Sequence, residues 1–292
     1  MASNTFDIDA LLKIYGASPD YRPQFEHRVN IVKSWNILPG SRVLEIGPGQ
    51  GDCTIVLATA VGESGHVDAV DPAPLSYGSP ITIGQSQAQL SASHLGPRIS
   101  WIEDSPDHHL STNPTPYTHV ILFHSLWYFS SPSTFPSLLR LLPAHTTPAA
   151  SLCLAEYALR APSLASVPHV LAALTSSRLQ AERGSEERNV RNISGPEWIK
   201  DAAGREGWAV KDEKVVVPPK GLQDGRWEVL GILSQGFERE VQEVVKRHEG
   251  LGGVLTGMKE AVVGALEAVE GGVKGVETMS VWVGKLDKGQ GL

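Results

Sequence analysis

Two kinds of hydrophobic pattern alternate along the chain. Short apolar runs rich in β-branched residues predict strands, and segments whose apolar residues recur every three or four positions predict helices. The predicted strands are 42–47, 65–71, 98–104, 118–125, 151–159, 208–217 and 276–286. The run at 118–125 is the most continuously apolar, so we expect it at the centre of a sheet. The run at 276–286 alternates, which is typical of an antiparallel edge strand.

Helical segments lie between these strands, as the crossovers of a parallel sheet do. The predicted helices are 54–61, 84–95, 133–142, 164–182, and one that starts at a capping box of Ser194 and Glu197 and ends at Arg205. A long stretch of helical pattern, 218–275, separates the last two strands, and Gly231, Gly236 and the stretch "GLGG" (250–253) weaken or break its helices. Such an insertion is too long for an ordinary connection.

Together these elements predict one α/β domain over residues 1–292. Its sheet is expected to be Rossmann-like, doubly wound, mostly parallel and seven-stranded, with an antiparallel last strand. The domain divides into a helical N-terminal segment (1–40), a sheet core (40–160) and the helical insertion (218–275). Trp227 and Phe237 on the apolar face of the insertion indicate a cap over a pocket, a dimer contact or plain packing.

Composition narrows the class of protein. The formal net charge of -7 argues against binding to nucleic acid or to an anionic membrane. No apolar run approaches the ~20 residues that span a bilayer, and the N-terminus lacks the layout of a signal peptide. Cys53 and Cys153 fit no disulfide or zinc pattern. We expect a cytoplasmic monomer or homodimer without a metal site, with the adjacent His108 and His109 at the surface.

The stretch "RVLEIGPGQGDCT", residues 42–54, runs from the first strand through three alternating glycines into a helix. It is a plain glycine-rich turn, a dinucleotide-binding loop, or a loop for S-adenosylmethionine (SAM). A dinucleotide loop has its third glycine where this chain has Asp52, whose carboxylate would repel a diphosphate. SAM has no phosphate and tolerates the acid. Asp71, about 20 residues past the loop, suits the ribose hydroxyls of either cofactor.

The stretches "VLEIGPGQG" and "VDAVD" resemble the first two motifs of class I SAM-dependent methyltransferases. The family's acid-x-Gly-x-Gly-x-Gly pattern is matched by Glu45, Gly47, Gly49 and Gly51, and the resemblance covers residues 40–160. The whole chain resembles the small-molecule type common in fungi. The resemblance implies SAM as cofactor, S-adenosylhomocysteine as product and a small-molecule substrate.

The family also places an adenine contact at the end of the third strand. Here that position holds Asp104, and the resemblance implies that it binds the adenine amino group, with Ser105 contributing its backbone amide or its hydroxyl. An ordinary acid at the end of a strand is the alternative.

Methyl transfer from a sulfonium requires alignment with the acceptor and exclusion of water rather than a nucleophile from the protein. The loop after the fourth strand is where ligands of open α/β sheets lie. His124 in that loop is a candidate base and cofactor contact, or only a buried core histidine. Trp127 and Tyr128 are candidates for the acceptor pocket. Glu156, at the end of the fifth strand, neutralises a cationic acceptor, orients His124 or serves a structural ion pair.

Aromatic residues ahead of the first strand complete the candidate substrate site. The resemblance implies that Tyr15 and Tyr21 belong to a lid over the cofactor, and a helix packed on the sheet is the alternative. Trp227, in the insertion outside the resemblance, is a further candidate contact by its position. Three other functions stay open: a nicotinamide (NAD) oxidoreductase, a protein or RNA methyltransferase, and a cofactor-binding subunit without turnover. No Tyr-x-x-x-Lys pair supports the first, and the acidic charge argues against RNA.

Overall fold

The computed structural model describes residues 5–183 and 192–289, and its centre is a seven-stranded sheet. The strands are β1 (Arg42–Ile46), β2 (His66–Val70), β3 (Ile99–Ile102), β4 (Tyr117–Phe123), β5 (Thr146–Tyr157), β6 (Trp208–Val216) and β7 (Val281–Lys288). Their order across the sheet is β3-β2-β1-β4-β5-β7-β6. The pairs among β1 to β5 are parallel, whereas β7 runs antiparallel to both β5 and β6. This confirms the predicted fold, and β4 occupies the central position expected from its apolar run.

Eleven helices accompany the sheet in the described ranges. They are α1 (Ile8–Tyr15), α2 (Arg22–Trp35), α3 (Asp52–Val61), α4 (Ile83–Ser91), α5 (Pro106–Thr112), α6 (Thr134–Leu141), α7 (Val167–Arg183), α8 (Pro196–Arg205), α9 (Asp224–Ile232), α10 (Gln235–Val245) and α11 (Glu249–Glu267). Helices α1 to α4 cover one face of the sheet, and α5, α6 and α8 cover the other. The carboxyl ends of the parallel strands therefore open between two helical layers, where ligands of such sheets bind. Within residues 5–183 and 192–289, no helix combines the length and apolar character that a bilayer crossing requires.

The insertion packs as a small helical unit of its own. Phe237, Val241 and Val244 of α10 are buried with Leu255 and Val262 of α11, and this cluster also takes in residues of α7 and α9. Trp227 does not join it, because its side chain is 45% exposed and lies near the N-terminal segment. Phe237 and Trp227 therefore do not share the apolar face that the sequence suggested.

Two predicted features of the sheet and its helices are wrong. β7 is not an edge strand, because it lies between β5 and β6 and is buried along most of its length. The edge is β6, which carries Lys211, Asp212, Glu213 and Lys214, charges that discourage pairing with another chain. The capping box of Ser194 and Glu197 does not form, since Gly195 is the N-cap and the helix starts at Pro196.

The glycines at 250–253 do not break the helix that contains them. Helix α11 runs through them without interruption. A Cβ on Gly252 would lie 2.3 Å from Cγ2 of Val245 at the end of α10. At this position glycine allows two helices to approach closely, and packing outweighs the low helix propensity.

Candidate functional site

The three glycines after β1 adopt left-handed backbone conformations, with φ of 74° at Gly47, 53° at Gly49 and 83° at Gly51. Gly47 and Gly51 are also confined. Cβ atoms there would lie 2.7 Å from Cβ of Ser125 and 2.6 Å from the ring of Trp101, respectively. Gly49 differs, because a Cβ there would meet no atom within 4 Å. The loop thus presents bare backbone to open space at Gly49, as a site for a closely approaching ligand does.

Asp71 follows β2 and is tied to the glycine loop. Its Oδ2 accepts a hydrogen bond from the backbone N–H of Gly49 at 3.2 Å, and its Oδ1 accepts one from the N–H of Ala73 at 2.9 Å. Burial raises the pKa of the carboxyl, and the two backbone donors partly oppose that rise. A carboxylate has about four acceptor positions. Asp71 therefore retains capacity for two ribose hydroxyls while it fixes the loop.

Glu45, the acid of the motif, is buried in β1 with 1% exposure. Burial raises the pKa of its carboxyl from 4.5 to about 7, against the opposing influence of Thr54 and Cys53. Within the described residues its Oε2 has no hydrogen-bond partner. Glu45 thus lies beneath the loop with one carboxyl oxygen that makes no hydrogen bond.

Replacing Glu45 with glutamine is expected to flatten the pH dependence of stability. Between pH 4.5 and about 7 the folded protein holds a proton on Glu45 that the unfolded chain has released, so the free energy of unfolding falls as pH rises. The loss from this group is roughly 3 kcal/mol. Urea unfolding at pH 4.5, 6 and 8 measures this effect. The free energy of unfolding of Glu45→Gln, relative to that of the native sequence, should rise by this amount between the lowest and the highest pH. Glu103→Gln, at an exposed position, is the control. If the difference in stability between Glu45→Gln and the native sequence did not change with pH, the raised pKa of Glu45 would be wrong.

Asp104 and Ser105 follow β3, at the edge of the sheet next to β2. Asp104 accepts a hydrogen bond from the N–H of Ser105 at 2.7 Å, and its Oδ2 lies 2.5 Å from Nδ1 of His108. The hydrogen bond to His108 lowers the pKa of Asp104. Ser105 caps α5 through the N–H of His108. The expected adenine contact therefore already has a partner in the protein.

His109 contradicts the prediction that both adjacent histidines lie at the surface. It is 8% exposed, and its Nε2 lies 2.8 Å from the hydroxyl of Tyr117, which donates to the buried Asp68 at 2.7 Å. Successive residues of α5 point in different directions, so His108 is exposed while His109 is buried. In the described part of the chain no group of three or more His, Cys, Asp or Glu side chains is arranged to hold a metal ion.

Arg28 is a site residue that the sequence analysis missed. It lies on α2 with 8% exposure, and its Nη2 is 2.5 Å from Oδ2 of Asp52 at the start of α3. Its Nη1 donates to the carbonyl of Gln24 at 3.2 Å, and its guanidinium lies 5.5 Å from the centre of the Phe123 ring. Asp52 is therefore paired. The argument that its carboxylate alone repels a diphosphate loses its electrostatic basis.

The N-terminal segment reaches the glycine loop and the insertion. The hydroxyl of Tyr15 donates to Oε1 of Gln50, between the second and third glycines, at 3.4 Å. Tyr15 stacks on Tyr21 with ring centres 5.5 Å apart, and Tyr21 lies 6.3 Å from Trp227. Burial raises the pKa of both tyrosines, and the charge of Asp52 adds to the rise. The three predicted substrate contacts thus form one aromatic group beside the loop.

A polar clasp joins the same two segments. Nε2 of Gln24 donates to Oδ2 of Asp224 on α9 at 3.3 Å, and Oε1 of Gln24 accepts from the N–H of Gln223 at 3.2 Å. Gln24 is fully buried, whereas Asp224 and Gln223 are partly exposed. The N-terminal segment and the insertion therefore meet over the carboxyl ends of the strands.

His124 follows β4 in a left-handed conformation, with φ of 52°. Its N–H donates to the carbonyl of Ala155, and its Nδ1 lies 3.4 Å from Oε1 of Glu156. Glu156 is 1% exposed and also accepts from the N–H groups of Leu126 at 3.1 Å and Tyr157 at 3.0 Å. This carboxylate therefore anchors the loop after β4 as well as the imidazole.

The ring of His124 is sealed by neighbouring rings. It stacks on Tyr157 at 4.2 Å and on His27 at 5.9 Å between ring centres. Its Nε2 is buried and has no hydrogen-bond partner among the described residues. A general base needs a ring nitrogen within hydrogen-bond reach of the proton it removes. In this conformation Nδ1 lies against Glu156 and Nε2 is buried, and the role of His124 as a base stays a prediction.

Trp127 and Tyr128 lie in different surroundings. Trp127 is 2% exposed and its Nε1–H donates to the carbonyl of Ser194 at 3.1 Å, so it belongs to the core rather than to an open pocket. Tyr128 is 44% exposed, yet burial raises the pKa of its hydroxyl, and Glu228 and Glu156 add to the rise. A side chain that solvent reaches while protein surrounds its hydroxyl lies in a cleft. The place of Tyr128 beside an acceptor stays a prediction.

Comparisons with known proteins agree with this geometry. No family model matches the chain. Methyltransferase phomM' and methyltransferase phomM of Diaporthe leptostromiformis are 28% and 29% identical to it, over 91% of this chain and 84% of each relative. A cyclopropane-fatty-acyl-phospholipid synthase-like protein from Lactobacillus casei ATCC 334 is 26% identical, with a TM-score of 0.77 over 96% of this chain and 98% of that one.

Proposed function

We propose that this chain is a class I SAM-dependent methyltransferase that methylates a small organic acceptor by in-line displacement. The observation that carries the proposal is the loop after β1, where Gly49 faces open space and donates its N–H to Asp71. That arrangement suits an adenosyl ligand lying against bare backbone.

Several residues of this chain fit the cofactor. Asp71 has acceptor capacity for the ribose, Gly47, Gly49 and Gly51 shape the loop, and Glu45 supports it from below. Asp104 and Ser105 are assigned to the adenine, with His108 as the present partner of the acid. SAM, when bound, supplies a methyl carbon that an acceptor atom attacks as the carbon–sulfur bond breaks, leaving S-adenosylhomocysteine.

The acceptor is assigned to the cleft beside Tyr128 and the aromatic group of Tyr15, Tyr21 and Trp227. Aromatic faces bind flat or cationic groups, and a contact to a cation contributes about 0.5–2 kcal/mol. The clasp between Gln24 and Asp224 holds the N-terminal segment against the insertion on this side. The contribution of the protein is thus mainly proximity, orientation and exclusion of solvent.

His124 and Glu156 are proposed to position the loop after β4 rather than to move a proton. Asparagine tolerates the left-handed backbone, so His124→Asn is expected to fold and to bind S-adenosylhomocysteine within about threefold of the native affinity. Loss of alignment should lower kcat about tenfold, without changing the shape of its pH profile. If the variant instead lost about 100-fold or more in kcat together with one limb of the pH profile, His124 would be the base after all.

The test of the proposed function is methyl transfer from SAM with a deuterated methyl group, followed by mass spectrometry. The acceptor panel contains amines, phenols, thiols, carboxylic acids and polypeptides. It also contains a fatty-acyl phospholipid, because the Lactobacillus protein is described as similar to a synthase acting on such lipids. Labelling of a small molecule supports the proposal, and labelling of polypeptides alone would favour a protein methyltransferase. Binding of S-adenosylhomocysteine without transfer to any acceptor would indicate a non-catalytic subunit.

A further inference from the structure

We propose that the buried pair of Arg28 and Asp52 is the binding site for the amino-acid end of SAM, with Arg28 holding its carboxylate and Asp52 its ammonium group. This inference rests on the proposed function. It assigns a role to a pair that no sequence motif in the chain predicts.

The order of the strands points to this place. Asp104 follows β3, Asp71 follows β2, and the sheet continues through β1 to β4. With adenine at β3 and ribose at β2, the rest of the ligand extends over β1 and β4. Adjacent strands lie about 4.8 Å apart. Arg28 and Asp52 lie over β1 and β4, since Asp52 follows the loop after β1 and the guanidinium of Arg28 is 5.5 Å from the ring of Phe123 at the end of β4.

The chemistry of the pair matches a zwitterion. The carboxylate and ammonium of an α-amino acid require one cation and one anion side by side. Nη2 of Arg28 and Oδ2 of Asp52 are 2.5 Å apart, so both charges are already in place. Asp52 is in the first turn of α3, where the helix dipole stabilises its negative charge.

Arg28 also has unused hydrogen-bonding capacity. Its Nε is buried and makes no hydrogen bond within residues 5–183 and 192–289, although Nη1 and Nη2 are both engaged. Nε of Arg42 is buried without a partner among the described residues as well, so this donor does not distinguish the two pairs, and it is the position of Arg28 over β1 and β4 that assigns it the carboxylate. Each Nη atom of Arg28 carries a second N–H, and a carboxylate binds the planar fork of arginine at two donors.

Titration calorimetry with three ligands tests the inference. S-adenosylhomocysteine carries both charged groups, its decarboxylated analogue keeps only the ammonium, and 5′-methylthioadenosine has neither. In Arg28→Met, affinity for S-adenosylhomocysteine should fall about 10- to 100-fold, while the other two ligands bind as tightly as before or more tightly. In Asp52→Asn, the first two ligands should weaken and 5′-methylthioadenosine should not. Arg28→Lys keeps the positive charge but lacks the planar guanidinium. It replaces Arg28→Met in the test if that variant does not fold.

Arg42→Met is the matched control, because Nη2 of Arg42 lies 2.6 Å from the buried Asp68 at the opposite end of β1 and β2. It should lose stability and leave all three affinities unchanged. If the Arg28 and Asp52 variants weakened the three ligands equally, or weakened none, the pair would be structural and the inference wrong. Failure of the unaltered chain to bind any of the three would instead overturn the proposed use of SAM.

Discussion

Replacing Gly49 with alanine is expected to weaken binding of S-adenosylhomocysteine at least about 100-fold while the protein stays folded. The new Cβ would meet no protein atom within 4 Å, so the stability cost is limited to the left-handed backbone, with φ of 53°. That cost is about 1–2 kcal/mol. Because the same Cβ enters the space assigned to the ligand, binding should suffer far more than folding. Calorimetry and urea unfolding measure the two effects separately.

Gly51→Ala is the matched control, since it should lower stability more than it lowers the affinity for S-adenosylhomocysteine. Here the Cβ would lie 2.6 Å from the ring of Trp101 and 2.7 Å from Cδ1 of Leu90, at φ of 83°. The expected loss of stability is about 2–5 kcal/mol, from overpacking and backbone strain together. Equal affinity of Gly49→Ala and the native chain for S-adenosylhomocysteine would remove Gly49 from the site.

Asp71→Asn is expected to lower the affinity for S-adenosylhomocysteine and 5′-methylthioadenosine alike, by about 100-fold or more. Both ligands carry the ribose, and two hydrogen bonds from its hydroxyls to a carboxylate contribute about 1.5–3 kcal/mol each. The substitution also weakens the bond from the N–H of Gly49 that fixes the loop. Calorimetry with the two ligands measures the loss.

The pattern across ligands separates Asp71 from Arg28. Loss of both ligands marks a ribose contact, whereas loss of S-adenosylhomocysteine alone marks a contact to the amino-acid end. An Asp71→Asn variant that still bound 5′-methylthioadenosine with native affinity would show that the carboxylate only shapes the loop.

Much of the fold was predictable because each strand of the core carries its own apolar signal. The central place of β4 follows from a run buried on both faces. The position of β7 was not predictable in this way, since alternation within one strand does not reveal that charged β6 lies outside it. Ser194 and Glu197 failed as a cap because Gly195 supplied the N-cap and Pro196 the first helical residue.

The candidate site was predictable where a motif is local and not where it depends on distant segments. The glycines and Asp71 meet as their spacing implies. Arg28 did carry a signal, because it interrupts the apolar positions Phe25, Val29 and Val32 of α2, and a charge there needs a buried partner. Nothing local names that partner as Asp52. The rings that enclose His124 come from α2 and β5, and they meet it only when these elements pack against β4.

The most direct test of the account is calorimetric titration of the purified chain with SAM, S-adenosylhomocysteine and NAD. The account predicts that the two adenosyl compounds bind in the micromolar range and that NAD does not bind. Binding of NAD alone, or of none of the three, would contradict it.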